Sequence, residues 1–254
     1  NWNVFATCKK FEDCKMLQSN GLNSFPLDLS DSNSINRAVE KVGKACEGKL
    51  DALFNNGAFA IPGAIEDIPR DAFREIFEVN LFGQFELLTK CLPMMRANCG
   101  GKIINCSSVL GFTALPFRGA YIGTKFALEG MTDTLRRENQ DSNIKFILIE
   151  PGPINTQIRL NSRKHFEKWI KKDTSPYEAI YNNDLELRLY GEKVKDFFEL
   201  EPTAVANTVM KILEARNPKP RYYVTAPTFF AGLVKRIFST RLQDLIFKYR
   251  PPKR

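Results

Sequence analysis

KIINCSSV (102–109), AYIGTKFALEGMTDTLRRE (120–138) and NIKFILIEPG (143–152) give one strand–helix–strand reading. The outer runs are short, apolar and isoleucine-rich, as strands buried on both faces are, and the middle stretch reads as a helix from about Ala120 to Glu138. Two strands joined by a helix imply a right-handed crossover and parallel pairing. Glu150 ends the second strand, and Pro151 with Gly152 closes it.

The alternation continues toward both ends. Upstream, NVFATCKK (3–10) and LDALFNNGA (50–58) read as strands, SFPLDLSD (24–31) gives a short strand ending at Asp28, and a polar stretch follows the first. Between the last two, Ile35, Ala38, Val39 and Val42 recur at helical spacing behind a Ser30 or Asp31 cap. Pro69 opens a long helical region through FREIFEVNLFGQFELLTKCLPMM (73–95), with a kink expected at Pro93. Downstream, residues 153–200 lose the alternation and read as a helical excursion over one sheet edge, before a helix at 202–216 and a strand at RYYVT (221–225). The expected fold is an α/β doubly wound parallel sheet, taken as a single domain over 1–254. Ligands of such sheets bind beyond the carboxyl ends of the strands, where Asp28, Asn55, Ser107, Ser108, Pro151 and Gly152 fall.

Composition narrows the function classes. The 254 residues carry 37 Lys plus Arg against 29 Asp plus Glu, a net charge of +8, which attracts anions without choosing among them. With no recognised motif behind that charge, nucleic-acid binding is not expected. The six cysteines, Cys8, Cys14, Cys46, Cys91, Cys99 and Cys106, form no C-x-x-C pair, and the one histidine, His165, lies in a charged stretch that reads as surface. No metal site is expected. No apolar run approaches the roughly 20 residues of a membrane span, so the chain reads as soluble and cytoplasmic. Gly43 to Lys49 fits most of a phosphate-binding P-loop, but Leu50 stands where Ser or Thr is needed, and the helix-then-strand context is reversed.

Tyr121 and Lys125 are one helical turn apart and share a helix face. Alone, that spacing is common. Together with Asn55–Asn56–Gly57–Ala58, Asn80, Ser108 and PGPINT (151–156), it resembles the short-chain dehydrogenase/reductase family, over residues 1 to about 225. FRGAYIGTKFALEGMTDTLRRE (117–138) and LIEPGPINT (148–156) are most similar to its aldehyde-reductase, retinol and hydroxysteroid dehydrogenase branch.

The resemblance implies hydride transfer between NADP(H) and a carbonyl or alcohol. Tyr121 would donate the proton, with its pKa lowered by Lys125, and Ser108 would hold the carbonyl oxygen. Asn80 would hold a water that relays protons to Lys125. Cofactor contacts are expected from Lys9, Asp28, Leu29, Asn56, Gly57, Tyr121, Lys125, Pro151, Gly152, Ile154 and Thr156. Cys8 stands where NAD-selective relatives carry an acid, and Lys9 follows it, which favours the phosphate of NADP. The order Gly57–Ala58 inverts the usual Ala–Gly and shifts where the backbone can approach the cofactor.

The family's first strand and its glycine-rich turn are absent from this sequence, which also opens without methionine. A missing unit of about 30 residues is expected to leave a gap in the sheet and to weaken cofactor binding.

Ile154, Ile158, Leu160, Phe166 and Trp169 give the 153–200 segment the character of a substrate lid, and so point to a hydrophobic aldehyde, retinoid or ketosteroid. Packing on the sheet edge is the other reading of that segment. The tail at 227–254 is basic and amphipathic, which suits peripheral contact with an anionic membrane, the pocket rim or a subunit interface. A homo-oligomer is implied by the family. The rival to a reductase is a non-catalytic NADP-sensing or scaffold protein of the same fold.

Overall fold

The computed structural model describes residues 2–191, 196 and 198–248. Among the described residues six parallel strands form two pieces of sheet. β1 (Phe5–Cys8) pairs with β2 (Asn23–Pro26), and β3 (Ala52–Asn55), β4 (Gly101–Cys106), β5 (Ile144–Glu150) and β6 (Arg221–Tyr223) follow one another in that order. Among the described residues no ladder joins the first piece to β3, which is where the expected gap falls.

Helices cover both faces. In chain order they are α1 (Phe11–Ser19), α2 (Ser32–Ala45), α3 (Arg70–Phe77), α4 (Gly83–Ala97), α5 (Gly119–Glu138), α6 (Ile158–Trp169), α7 (Glu178–Ile180), α8 (Glu186–Tyr190), α9 (Thr203–Glu214), α10 (Ala226–Ile237) and α11 (Thr240–Ile246). Successive strand residues point to opposite faces, so β4 separates two cores. Ile103 packs with Leu88, Leu92 and Met95 of α4, whereas Ile104 packs with Ile212 of α9. Both isoleucines are fully buried, each stabilising by about 1.5–3 kcal/mol, and this two-sided burial is why the strand runs are continuously apolar.

The α2 start follows its cap. Asp31 accepts from the Asn33 amide at 2.9 Å, and Ile35 and Ala38 are buried beneath the helix. Four elements depart from expectation. The polar stretch after β1 folds as α1, which buries only Cys14 and so leaves little apolar signature. The long helix from Pro69 is broken by a π-helical turn at Glu78–Phe82, while α4 runs on through Pro93 to Ala97. One extra residue per turn there carries Asn80 inward, fully buried. β2 stops at Pro26, two residues short of Asp28, because Asp28 and Asp31 are committed to the following loop and helix. His165 is not a surface residue: it is 9% exposed and stacks on Phe59 with ring centroids 4.1 Å apart.

The 153–200 excursion holds α6, α7, a second π turn at Tyr181–Leu185, and α8. It is fastened to the segment before α3. The fully buried Tyr181 accepts from the Ala64 amide at 2.9 Å and donates to Asp67, which also takes a 2.6 Å bond from Ser175. Lys168 and His165 both meet Glu75, at 2.5 and 3.2 Å. Among the described residues no helix is long and apolar enough to cross a membrane. The last six tail residues, 249–254, lie outside the described residues.

Candidate active site

The strand ends bring most of the expected residues to one rim. Tyr121 and Lys125 project from the first turns of α5, and Ser108 caps the short turn after β4 by accepting from the Leu110 amide at 3.1 Å. The Val109 amide donates to the Pro151 carbonyl at 2.8 Å, and the Ser108 hydroxyl faces the same oxygen at 3.5 Å. The end of β4 is thereby tied to the end of β5. Gly152 is pinned from the other side, since a Cβ there would stand 2.2 Å from the Thr225 hydroxyl at the start of α10.

Lys125 is 1% exposed and donates to the Cys106 carbonyl at 2.7 Å, which leaves two of its three N–H groups for a ligand. Its Nζ lies 5.5 Å from the centre of the Tyr121 ring. Burial lowers the Lys125 pKa, against the pull of Cys106 and Glu129. The expected lowering of Tyr121 by Lys125 is not what the structure gives. Burial raises the phenol well above its ordinary value, the Cys106 thiol adds to the rise, and the Ser108 hydroxyl and Arg118 only partly oppose it. The phenol therefore stays protonated at neutral pH, as a free tyrosine does, and is the weaker acid for its burial.

The Asn80 side chain is held at both ends. Its amide nitrogen donates to the Phe59 carbonyl at 2.8 Å and to Thr124 at 3.3 Å, and its oxygen accepts from the Phe59 amide at 3.0 Å. With both ends of the side chain engaged, Asn80 positions Phe59.

The cofactor half is looser. Asp28 accepts from the amide and hydroxyl of Ser30 and meets Lys9 at 2.9 Å. Burial raises its pKa, but Ser30 and Lys9 outweigh that and hold the carboxyl below its usual range. Lys9 is exposed with its charge on Asp28, and Asn56 and Gly57 are exposed beyond β3. Gly57 has no left-handed φ; its carbonyl accepts from the buried Gln84 at 2.6 Å, so the inverted glycine is held by a side-chain anchor. Leu29 lies against α4, where a Cβ on Gly83 would come within 1.8 Å of the Leu29 carbonyl. Ile154 bridges to Leu200, and Thr156 is exposed, accepting from the Ile158 amide at 3.4 Å.

Asn105, Thr132, Glu129, Asp133 and Arg221 escaped sequence reading. Asn55 donates to Asn105 and Asn105 to Thr132, each at 2.9 Å, a buried chain that ties β3, β4 and α5 together. Behind Pro151, the Arg221 guanidinium meets Glu150 at 2.6 Å, Asp133 at 2.7 Å and Glu129. Burial, then repulsion from Glu129, pushes Glu150 up to about 8 despite Arg221, so this acid pair retains a proton. Polar residues inside apolar runs were the available signal, as in Gln84 within LFGQFELL (81–88) and Glu150 after ILI (147–149).

Next to Tyr121 the excursion and α3 form an aromatic cluster, with Phe59, Phe77, Phe117, Trp169 and Tyr177 packed against a core that holds the buried Ile61 and Ile76. The arrangement sets a partly buried phenol, a buried lysine and a serine beside an apolar cluster.

Known proteins share this plan. A family model for short chain dehydrogenase matches residues 4–167. The chain is 33% identical to an uncharacterized oxidoreductase of Escherichia coli strain K12, YbbO, over 97% of this chain and 85% of that protein. It is 31% identical to the NADPH-dependent 3-dehydrocapnine reductase of Ornithobacterium rhinotracheale, over 96% and 87% respectively. A crystal structure of a short-chain dehydrogenase from Streptomyces avermitilis superposes with a TM-score of 0.76 at 23% identity, covering 97% of this chain and 86% of that one. With its parallel sheet, flanking helices and residues 4–167 all matched, this chain belongs to the short-chain dehydrogenase family of oxidoreductases.

Proposed function

We propose that the protein is an NADP-dependent carbonyl reductase acting on a hydrophobic aldehyde, retinoid or ketosteroid, with Tyr121 as the proton donor. The observation that carries this reading is the meeting of Tyr121, partly buried against an aromatic cluster, with Lys125 Nζ 5.5 Å from its ring and Ser108 at the end of β4. Ser108 donates a hydrogen bond to the carbonyl oxygen and favours the charge that develops there. Tyr121 passes its proton to that oxygen, and Lys125, held by the Cys106 carbonyl, stabilises the phenolate left behind.

The residues present fit a nicotinamide dinucleotide. Lys125 has free donors, Asn56 and Gly57 are open at a strand end, and the exposed Lys9 can turn from Asp28 to a phosphate. Asp28, Leu29, Pro151, Gly152, Ile154 and Thr156 complete the proposed contacts. When bound, the cofactor supplies the hydride. A relative named as NADPH-dependent supports the choice of NADP. The proposal treats 1–254 as one domain with 153–200 covering the substrate, and the protein as a homo-oligomer, which light scattering would show. A non-catalytic sensor is disfavoured, because Tyr121, Lys125 and Ser108 meet at one rim.

The outward face of α10, with Phe229, Phe230, Leu233 and Ile237 exposed beside Lys235 and Arg236, supports a second proposal: peripheral contact with an anionic lipid surface. Co-flotation with anionic but not neutral vesicles is expected, and failure to float with either removes this contact.

The reductase reading is tested by NADPH and NADH oxidation with decanal, retinal and a ketosteroid, using wild type and Tyr121→Phe. Turnover that prefers NADPH and is lost in Tyr121→Phe is expected. Full turnover in the mutant contradicts the assigned donor.

A further inference from the structure

We propose that His165 is a positioning residue: its ring, stacked on Phe59, seats the 153–200 segment against the helix that carries Tyr121, and protonation of that ring loosens the seat. Its role is to fix the apolar wall beside the phenol without touching the reacting atoms. The inference rests on the reductase reading and adds to it the residue that sets where an apolar substrate lies.

The contacts run unbroken from α6 to α5. The rings of His165 and Phe59 are nearly parallel, tilted by 20° with their centroids 4.1 Å apart. Phe59 lies in the loop after β3, and its amide and carbonyl are both held by the Asn80 side chain, at 3.0 and 2.8 Å. Asn80 donates onward to Thr124 at 3.3 Å, and Thr124 to the Tyr121 carbonyl at 2.7 Å. Asn80 and Thr124 are fully buried, so water competes little for these bonds. The fastening through Tyr181 and Ser175 ends on Ala64 and Asp67, ahead of α3, whereas the His165 stack leads on to α5.

Stacking, more than the acidic neighbour, places the imidazole. Glu75 of α3 takes Lys168 at 2.5 Å, and His165 Nδ1 stands 3.2 Å from the other carboxylate oxygen without forming a hydrogen bond. The charged groups facing the ring are Glu75 and, from its own helix, Lys164 and Lys168; Phe59 and Asn80 bring no charge. Burial lowers the imidazole from its ordinary 6.5 against the pull of Glu75, and the two lysines add to the lowering, so the seated ring is neutral at pH 7. A seated ring that protonates less readily than a free one favours the seat above 6.5 and gives up that stability as pH falls below it.

Reduction of decanal is compared with that of propanal, whose three carbons leave little apolar surface to cover. His165→Ala should raise KM for decanal about tenfold, with kcat and the propanal constants changed by less than about twofold. His165→Phe keeps a ring on Phe59 and should restore the wild-type KM. Between pH 7.5 and 5.5 the wild-type KM for decanal should rise about threefold or more, and that of His165→Phe should stay level. Equal losses on both aldehydes in His165→Ala overturn the inference, as does a phenylalanine variant no better than alanine. So does an equal rise in acid for wild type and His165→Phe.

Titration of decanol against the fluorescence of Trp169, one turn beyond His165 on α6, needs no turnover. Binding that weakens in His165→Ala and returns in His165→Phe supports the seat even if no carbonyl is reduced, in which case the reductase reading falls alone. The same response to decanol in all three proteins overturns the seat and leaves the reductase reading standing.

Discussion

Around Tyr121 and Lys125 the polar groups have fixed, mostly buried partners: Lys125 on Cys106, Asn80 on Phe59, Asn55 on Asn105, Val109 on Pro151. Around Lys9, Asp28 and Asn56 the groups are exposed, and the main contact is an ion pair open to solvent. The first region spans one continuous piece of sheet, whereas the second lies across the division between β1–β2 and β3. The contrast assigns pre-organisation for chemistry to the α5 side and leaves the adenine side to be ordered by what binds there.

The sharpest way to break this contrast is Lys125→Met. Loss of the ammonium removes phenolate stabilisation and should lower kcat by about 10²–10⁴-fold. It also strips the Cys106 carbonyl of its donor, and denaturant melts should show a loss of about 1–3 kcal/mol. A mutant with near-wild-type turnover would contradict the assigned role.

Gly83→Ala comes next, because its methyl group would collide with the Leu29 backbone and force α4 away from the loop after β2. A destabilisation of about 1–3 kcal/mol is expected, read by the urea midpoint, together with weaker NADPH binding. Unchanged stability would mean that the loop yields, and the adenine side would be looser still.

The third test concerns the acid pair behind Pro151. Glu150 titrates near 8 in the fold against an ordinary value of 4.5, so the folded protein holds this proton more tightly than the unfolded chain does. The corresponding stability is complete below about 4.5 and is lost as pH rises through 8. Relative to wild type, Glu150→Gln should gain on the order of 1 kcal/mol between pH 5 and 8.5, read by thermal melts at each pH. Parallel pH profiles would refute the retained proton.

Lys9→Ala is the mildest change. An exposed charge is worth little, so KM for NADPH should rise about two- to fivefold, KM for NADH should not change, and the melting temperature should stay put. An equal change for both cofactors would remove Lys9 from the phosphate.

Legibility in the sequence follows the same division. The strands, α5 and the Tyr121–Lys125 pairing were readable because buried parallel strands and one-turn helical spacing leave periodic marks, whereas Ser108 was picked out by the family resemblance. The π turn at Glu78–Phe82 was not, since one inserted residue changes no composition, only the direction in which Asn80 points. Nor was the sign of the Tyr121 shift: Lys125 is visible in the sequence, whereas the burial that raises the phenol is tertiary. His165 misled for a similar reason. Its charged neighbours face outward on α6, while its own ring turns in to Phe59.

The central claim is that Tyr121 protonates a carbonyl oxygen while the carbon receives hydride. Mass spectrometry of the alcohol formed from decanal and C4-deuterated NADPH tests it most directly. One deuterium at the carbinol carbon is predicted for wild type, with product absent or greatly reduced in Tyr121→Phe. Product without label, or labelled product formed equally by the mutant, would contradict the account.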